Sequence, residues 1–321
     1  MDSHRLVLRA GAGAILAALL LRLLCALSGE GTLPPELVSF LFFMETGRRA
    51  TFSAQPEETR PSTVATQPKP ALPAFSAQDA QRVTVRSGWG YEADVEALLR
   101  QPLRWELAST APTVLILHSH ATESYENTEG YKESGNYRTL DTDYNMVSIG
   151  RRVKELLEAE GICVIHDEAL HDYPSYNGSY ENSRATLQRQ LSQNPQLLLV
   201  LDLHRDALED SQGNQAGPTI TAQGQAAARL MLVVGSDFGG LEHPHWEENL
   251  ALAVKLQATL EAMHPGICRD ISFRSQRFNQ DLSPGALLVE VGAAGNTRQE
   301  ALAAAECLAQ AIVALSRGAE S

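Results

Sequence analysis

Cysteine is scarce. The four in 321 residues, Cys25, Cys163, Cys268 and Cys307, form no CxxC pair and no regular spacing. That argues against a cysteine zinc site or a disulfide framework and makes the last three small core residues. Basic excess is also missing. A formal charge of −13 gives no electrostatic footprint for nucleic acid, so none is expected as a partner. There is no GxGxxG or Walker loop, so no nucleotide is expected. Ser119 and Ser124 lack a Gly-x-Ser-x-Gly elbow, which argues against a serine hydrolase. Asp141-x-Asp143-x-Asn145 begins like a calcium loop, but Met146 and Arg152 stand where Gly and Glu are required. His243-Pro-His245 reads as a polar, solvent-facing lead into a helix. What remains is ordinary globular composition, 44% hydrophobic and 20% charged.

Only one apolar run has the length to cross a bilayer. Residues 10–28 carry a single charge, Arg22, and follow Arg5 and Arg9. The positive-inside rule then keeps the N-terminus cytoplasmic and sends the rest across. Arg22 would cost roughly 2.5–3.5 kcal/mol at a helix centre, but near the far end it snorkels to the interface. A signal peptide cut near Ala26-Leu-Ser28 is the competing reading, and both export the body. Residues 1–30 are therefore read as a single-pass anchor and 31–50 as a juxtamembrane segment. Residues 51–109 are a linker and lead-in, rich at first in Pro, Ser, Thr and Gln. The body spans 110–318.

Within the body, short apolar runs alternate with helical spacing. Strands are expected at Val114–Leu117, Ile162–Ile165, Leu197–Leu203, Ala228–Val234 and Leu287–Val291. Helices are expected at Asn145–Gly161, Glu181–Ser192, Trp246–Met263 and Thr297–Ser316. The alternation predicts an α/β fold, a mostly parallel twisted sheet flanked by helices, preceded by the transmembrane helix.

Three strands end in residues that bind metals or move protons, and parallel strands place ligands beyond their carboxyl ends. The first runs into His118-Ser-His120-Ala-Thr-Glu123. Its His-x-x-Glu spacing can bring an imidazole and a carboxylate to one zinc ion, although Glu123 could equally stabilise a helix N-terminus. The second carries Asp202, His204, Arg205 and Asp206. A structural Asp–Arg pair with a core histidine is the plain reading, but a second strand-end histidine favours His204 as a ligand. The third buries Glu290 in the apolar run ALLVEVG. A carboxylate there needs a partner or a task, and burial raises its pKa toward the range of a general base. Asn296 could shape a pocket wall.

Taken together, ILHSHATESY (116–125), YNMVSIGRRV (144–153), LDLHRDA (201–207) and RFNQDLSPGALLVEVGAAGNT (277–297) resemble the stage II sporulation protein P family. FLFFMETGR (40–48) is similar as well. The resemblance implies a zinc-dependent peptidoglycan hydrolase related to N-acetylmuramoyl-L-alanine amidases, with amide and peptide cross-link cleavage both described for the family. It implies work at the membrane during sporulation engulfment, the catalytic domain outside, with stage II sporulation proteins D and M as partners. Carried over to this sequence, His120 or His118 and His204 hold the metal and Glu290 is the catalytic carboxylate. The acidic ligand is Glu123, with Asp143 as alternative. Arg205, Asn279 and Asn296 are expected at the oxyanion or glycan, with Gln280 beside them. Two other readings are a peptidoglycan-binding scaffold without catalysis and a zinc carboxypeptidase acting only on peptides.

Overall fold

The computed structural model describes residues 75–318, apart from 104, 127–130 and 133–134. The expected anchor, juxtamembrane segment and most of the linker lie outside the described residues. Among the described residues no helix is long and apolar enough to cross a membrane.

Seven strands form one sheet: β1 (Val85–Ser87), β2 (Val114–Leu117), β3 (Val164–His166), β4 (Leu199–Asp206), β7 (Leu230–Val234), β8 (Ile271–Phe273) and β9 (Ala286–Ala293). Their order is β1-β8-β7-β9-β4-β2-β3. Strands β5 (Thr219–Ala222) and β6 (Gln225–Ala228) make a separate antiparallel hairpin. The sheet is mostly parallel, as expected, but it consists of two parallel blocks that meet antiparallel at β7 and β9. Periodicity carries no sign of direction, so the sequence is silent on that reversal.

Among the described residues the helices are α1 (Ala77–Ala80), α2 (Val95–Arg100), α3 (Met146–Ala159), α4 (Ser179–Gln193), α5 (Trp246–Met263) and α6 (Arg298–Arg317), with a 3₁₀ turn at Gln280–Leu282. Local chemistry fixes several ends. The Asn145 side chain accepts from Val147 N at 3.0 Å and caps α3. Gly161, at φ 80°, follows α3 in the left-handed region that favours glycine. Thr297 and Glu300 close a capping box on α6.

The expected start of the body at 110 is too late. Val85, Arg86 and Ser87 pair in parallel with Ile271, Ser272 and Phe273, so the lead-in supplies an edge strand. Strands β1 and β8 are three residues each with a polar residue at the centre, and so lack the apolar run that marks a central strand. His243, expected at the surface, is 2% exposed with both ring nitrogens lacking hydrogen-bond partners. The Cys268 and Cys307 thiols are buried and free, and Cys163 is half-buried.

Strand pleating divides the sheet into two unlike faces. Val114, Ile116, Leu199, Leu201, Leu203, Leu230, Leu232, Val234, Leu287, Val289 and Val291 join the main core with α2, α3, α5 and α6. The opposite face holds Leu115, Leu117 and Val200 under Leu187 and Leu191 of α4. It also holds Met231, Val233 and Leu288 against Phe278. The helix after β2 lies on the first face and the helix after β3 on the second. That change of side between neighbouring strands opens a crevice at their carboxyl ends.

Candidate metal centre

Beyond Leu117 the chain leaves β2 still pleated, and this alternation separates the two histidines. His118 points to the main-core face. There its Nδ1 lies 3.0 Å from Leu203 O and its Nε2 2.8 Å from His166 Nε2. It is fully buried, and burial with the neighbouring His166 pushes its pKa down to about 3. Burial likewise lowers His166 to about 4. Ser119 faces the other way and donates to Asp202 from both N (2.8 Å) and Oγ (2.6 Å).

His120 to Glu123 is a turn closed by Glu123 N donating to His120 O at 3.1 Å. Thr122 ties it down through Asp172, with N at 3.1 Å and Oγ1 at 2.6 Å. The turn brings His120 Nδ1 to 3.5 Å from Glu123 Oε1. From β4, His204 Nδ1 lies 3.5 Å from Glu123 Oε2. Donor atoms of His120, Glu123 and His204, all three buried, fall within 4.8 Å of one another. Two imidazoles and a carboxylate turned toward one point are a donor set that zinc accepts. The far nitrogen of His204, Nε2, is 2.8 Å from Asp202 Oδ1, an ion-pair separation whose angle misses a regular hydrogen bond. A carboxylate behind a ligand imidazole is the usual device for fixing its tautomer.

Charge is dense here. Burial alone would raise the Glu123 pKa, but His120, His204 and Arg205 hold it well below the usual carboxylate range. For His204, burial works against the proton while Asp202 and Glu123 outweigh it, so its pKa lies well above the ordinary value. Glu290 stands beside His204 in the β4–β9 register. Its Oε2 is sealed from solvent without a hydrogen-bond partner, and burial pushes its pKa up to about 8.

The structure thus brings His120, Glu123, His204 and Glu290 together and leaves His118 outside the group. Asp143 is exposed and pairs with Arg151 at 3.1 Å. Arg205, expected at an oxyanion, has its guanidinium engaged by protein groups, with Nη1 3.7 Å from Glu123 Oε1. Nε donates to Ser124 O at 3.0 Å and Nη2 to Tyr137 O at 2.9 Å, while its main-chain N meets Glu123 Oε2 at 3.3 Å. Its observed contacts pin the Glu123 loop to β4.

The three expected substrate-binding amides are bracing groups as well. Asn279 Nδ2 donates to Tyr180 O and Ser183 Oγ. Gln280 links Val233 O to Gly235 N. Asn296 Oδ1 accepts from Ala293 N while its Nδ2 donates to Glu300. Buried amides must find such partners, so a polar residue near a strand end is no sign of substrate contact.

Several neighbours were not singled out from the sequence. Tyr176 stacks on His120 with centroids 4.5 Å apart, and Tyr180 lies near both His120 and His204. Arg138 joins Asp172 (2.6 Å) to Glu123 (3.3 Å) and lies over Tyr176. All belong to irregular or helical segments without periodic signal. Asp202 alone was legible, since i and i+2 on a strand share a face with His204.

Residues 45–313 match the family model described as stage II sporulation protein P. A curated relative, stage II sporulation protein P of Bacillus subtilis (strain 168), is 28% identical over 208 residues, covering 61% of this chain and 49% of that protein. The chain therefore spans about half the length of that relative. Among solved structures, the N-acetylmuramoyl-L-alanine amidase AmiC2 of Nostoc punctiforme is 17% identical, covering 62% of this chain and 92% of its own, with a TM-score of 0.35. The N-acetylmuramyl-L-alanine amidase Ami1 of Mycobacterium smegmatis is 14% identical, covering 64% and 97%, with a TM-score of 0.39. The family match includes every strand of the sheet and all four members of the buried group, and on it the chain belongs to the stage II sporulation protein P family.

Proposed function

We propose that this protein is a peptidoglycan hydrolase, an N-acetylmuramoyl-L-alanine amidase that also cuts peptide cross-links. One observation carries the reading: a buried His120–Glu123–His204 group with the partnerless carboxylate of Glu290 on the adjoining strand. A wall-binding scaffold needs none of these charges, and burying them without a task is expensive.

In this reading His120 and His204 offer Nδ1, and Glu123 a carboxylate, to a zinc ion. Zinc held there supplies Lewis-acid polarisation of the scissile carbonyl and of the attacking water. Asp202 keeps the His204 proton on Nε2, leaving Nδ1 as the donor. Arg205 and Arg138 keep Glu123 in place. Glu290 takes the water's proton on its unpartnered Oε2 and returns it to the leaving amine. Burial raises its pKa to about 8, close to the working pH as both halves of that exchange require. Tyr176 and Tyr180 wall the site and limit water. The body works outside the membrane behind the residue 10–28 anchor, at the cell wall during engulfment, beside stage II sporulation proteins D and M.

His204→Ala and Glu290→Gln should each reduce release of stem peptides from purified sacculi by about three orders of magnitude or more, read by mass spectrometry. Wild-type release from either variant would sink the mechanism. Loss of single terminal residues without free stem peptides would mean a carboxypeptidase instead.

A further inference from the structure

The sheet face that bears His204 and Glu290 continues past Glu290. Met231 of β7 is the register partner of Glu290, Ser272 of β8 that of Val233, and Arg86 of β1 that of Ser272. Paired residues share a face, as do Met231 and Val233 two apart on β7, so this face runs outward from the buried group. An open cleft of about 570 Å³ lies on it, lined by Met231 and Ser272 and by Arg86, Arg229, Arg269 and Arg274.

Four guanidiniums gather there in a chain whose formal charge is −13. Two face carboxylates: Arg86 pairs with Asp270, and Arg269 Nη1 is 2.6 Å from Asp206 Oδ2. The other two are engaged by neutral groups. Arg229 donates to the carbonyls of Gly266 and Cys268, and Arg274 Nε donates to Ser272 Oγ at 2.7 Å. Positive charge is therefore in excess within a molecule that is otherwise negative.

We propose that this cleft is a carboxylate-binding subsite for the acidic peptide portion of the substrate, a reading that rests on the hydrolase function above. Strands lie about 4.8 Å apart, and the path also shifts two residues along β7 from Met231 to Val233, so Glu290 and Arg86 are about 16 Å apart. Roughly five extended residues cover that distance. A short peptide leaving the scissile amide then crosses Met231 and delivers its carboxylates to Arg274 and Arg86. Arginine meets a carboxylate with two parallel N–H donors, which makes it the fitting residue for such recognition.

The test uses the full-length protein and a double variant, Arg86→Ala with Arg274→Ala, both residues being exposed. Soluble muropeptides are offered with free carboxylates or with the same groups as carboxamides. Wild type should prefer the acidic form, and the double variant should lose the preference, its KM for that form rising about tenfold. Equal KM values for the two proteins on the acidic form would overturn the subsite. So would competition by a glycerol-phosphate polymer together with indifference to amidation, which would assign the cleft to phosphate. Calorimetric titration of the acidic peptide into both proteins reads the subsite without turnover. Absence of any release from sacculi by wild type would fail the hydrolase reading separately.

Discussion

Glu290 is a carboxylate held in an environment that disfavours its charge, and this has a consequence for stability. Its folded pKa of about 8 lies above the ordinary value of 4.5. Below pH 4.5 the group is neutral folded or unfolded and costs nothing. Between 4.5 and 8 the unfolded chain releases a proton that the folded one retains, so the metal-free fold loses stability as pH rises. Glu290→Gln removes the titration. In chelator, its melting temperature relative to wild type should climb between pH 5 and pH 9, reflecting up to a few kcal/mol. A constant difference across that range would mean that the carboxylate is not held protonated by its surroundings. The residue scale is also where the sequence was most and least informative. Glu290, His204, Glu123 and His120 were legible because charged groups at the ends of apolar strands stand out. The choice between His118 and His120 was not, because it depends on where pleating ends and the turn begins. The internal hydrogen bonds of Asn279, Gln280 and Asn296 were not legible, because a bracing amide and a substrate-binding amide are the same chemical group.

At the scale of elements, His118 and His166 form a buried pair that ties β2 to β3 and β4, and α3 closes over them at Gly150. A Cβ at Gly150 would lie 2.7 Å from His118 Nε2 and would meet the His166 ring as well. Both imidazoles are walled in, and His118 can withdraw only by breaking its Leu203 contact at the strand that carries His204. Gly150→Ala should therefore destabilise by about 1–3 kcal/mol through overpacking, although alanine is the better helix former. Chemical denaturation would measure it, and a neutral or stabilising result would show that α3 can shift. The helices themselves were well marked in the sequence, α5 at the observed bounds and α3 within two residues at either end. Strands β1 and β8 were invisible for the opposite reason. Each is only three residues long with a polar residue at its centre, Arg86 in β1 and Ser272 in β8, so neither presents an apolar run.

For the whole molecule, that asymmetry of faces couples metal, proton and fold. The main-core face buries nearly continuous aliphatic side chains, while the other face gathers Asp202, His204, Glu290 and the arginine cleft. The charged group is therefore poised on a rigid sheet. Without metal, His204 holds a proton between Asp202 and Glu123, and Glu290 holds another near neutrality. A zinc ion held as proposed would displace the first and favour loss of the second, so both linkages would tighten binding as pH rises. We expect zinc to raise the melting temperature over that in chelator, with the increment growing from pH 6 to pH 8 by the relation between ligand affinity and stability. Calorimetric titration in two buffers of different ionisation enthalpy should record about one proton or more released per zinc at pH 7. His204→Ala should abolish most of the thermal increment, because removing one of three donors leaves a site that no longer encloses the ion. A zinc increment that is flat with pH, or unchanged in that variant, would place the metal somewhere other than the His120–Glu123–His204 group.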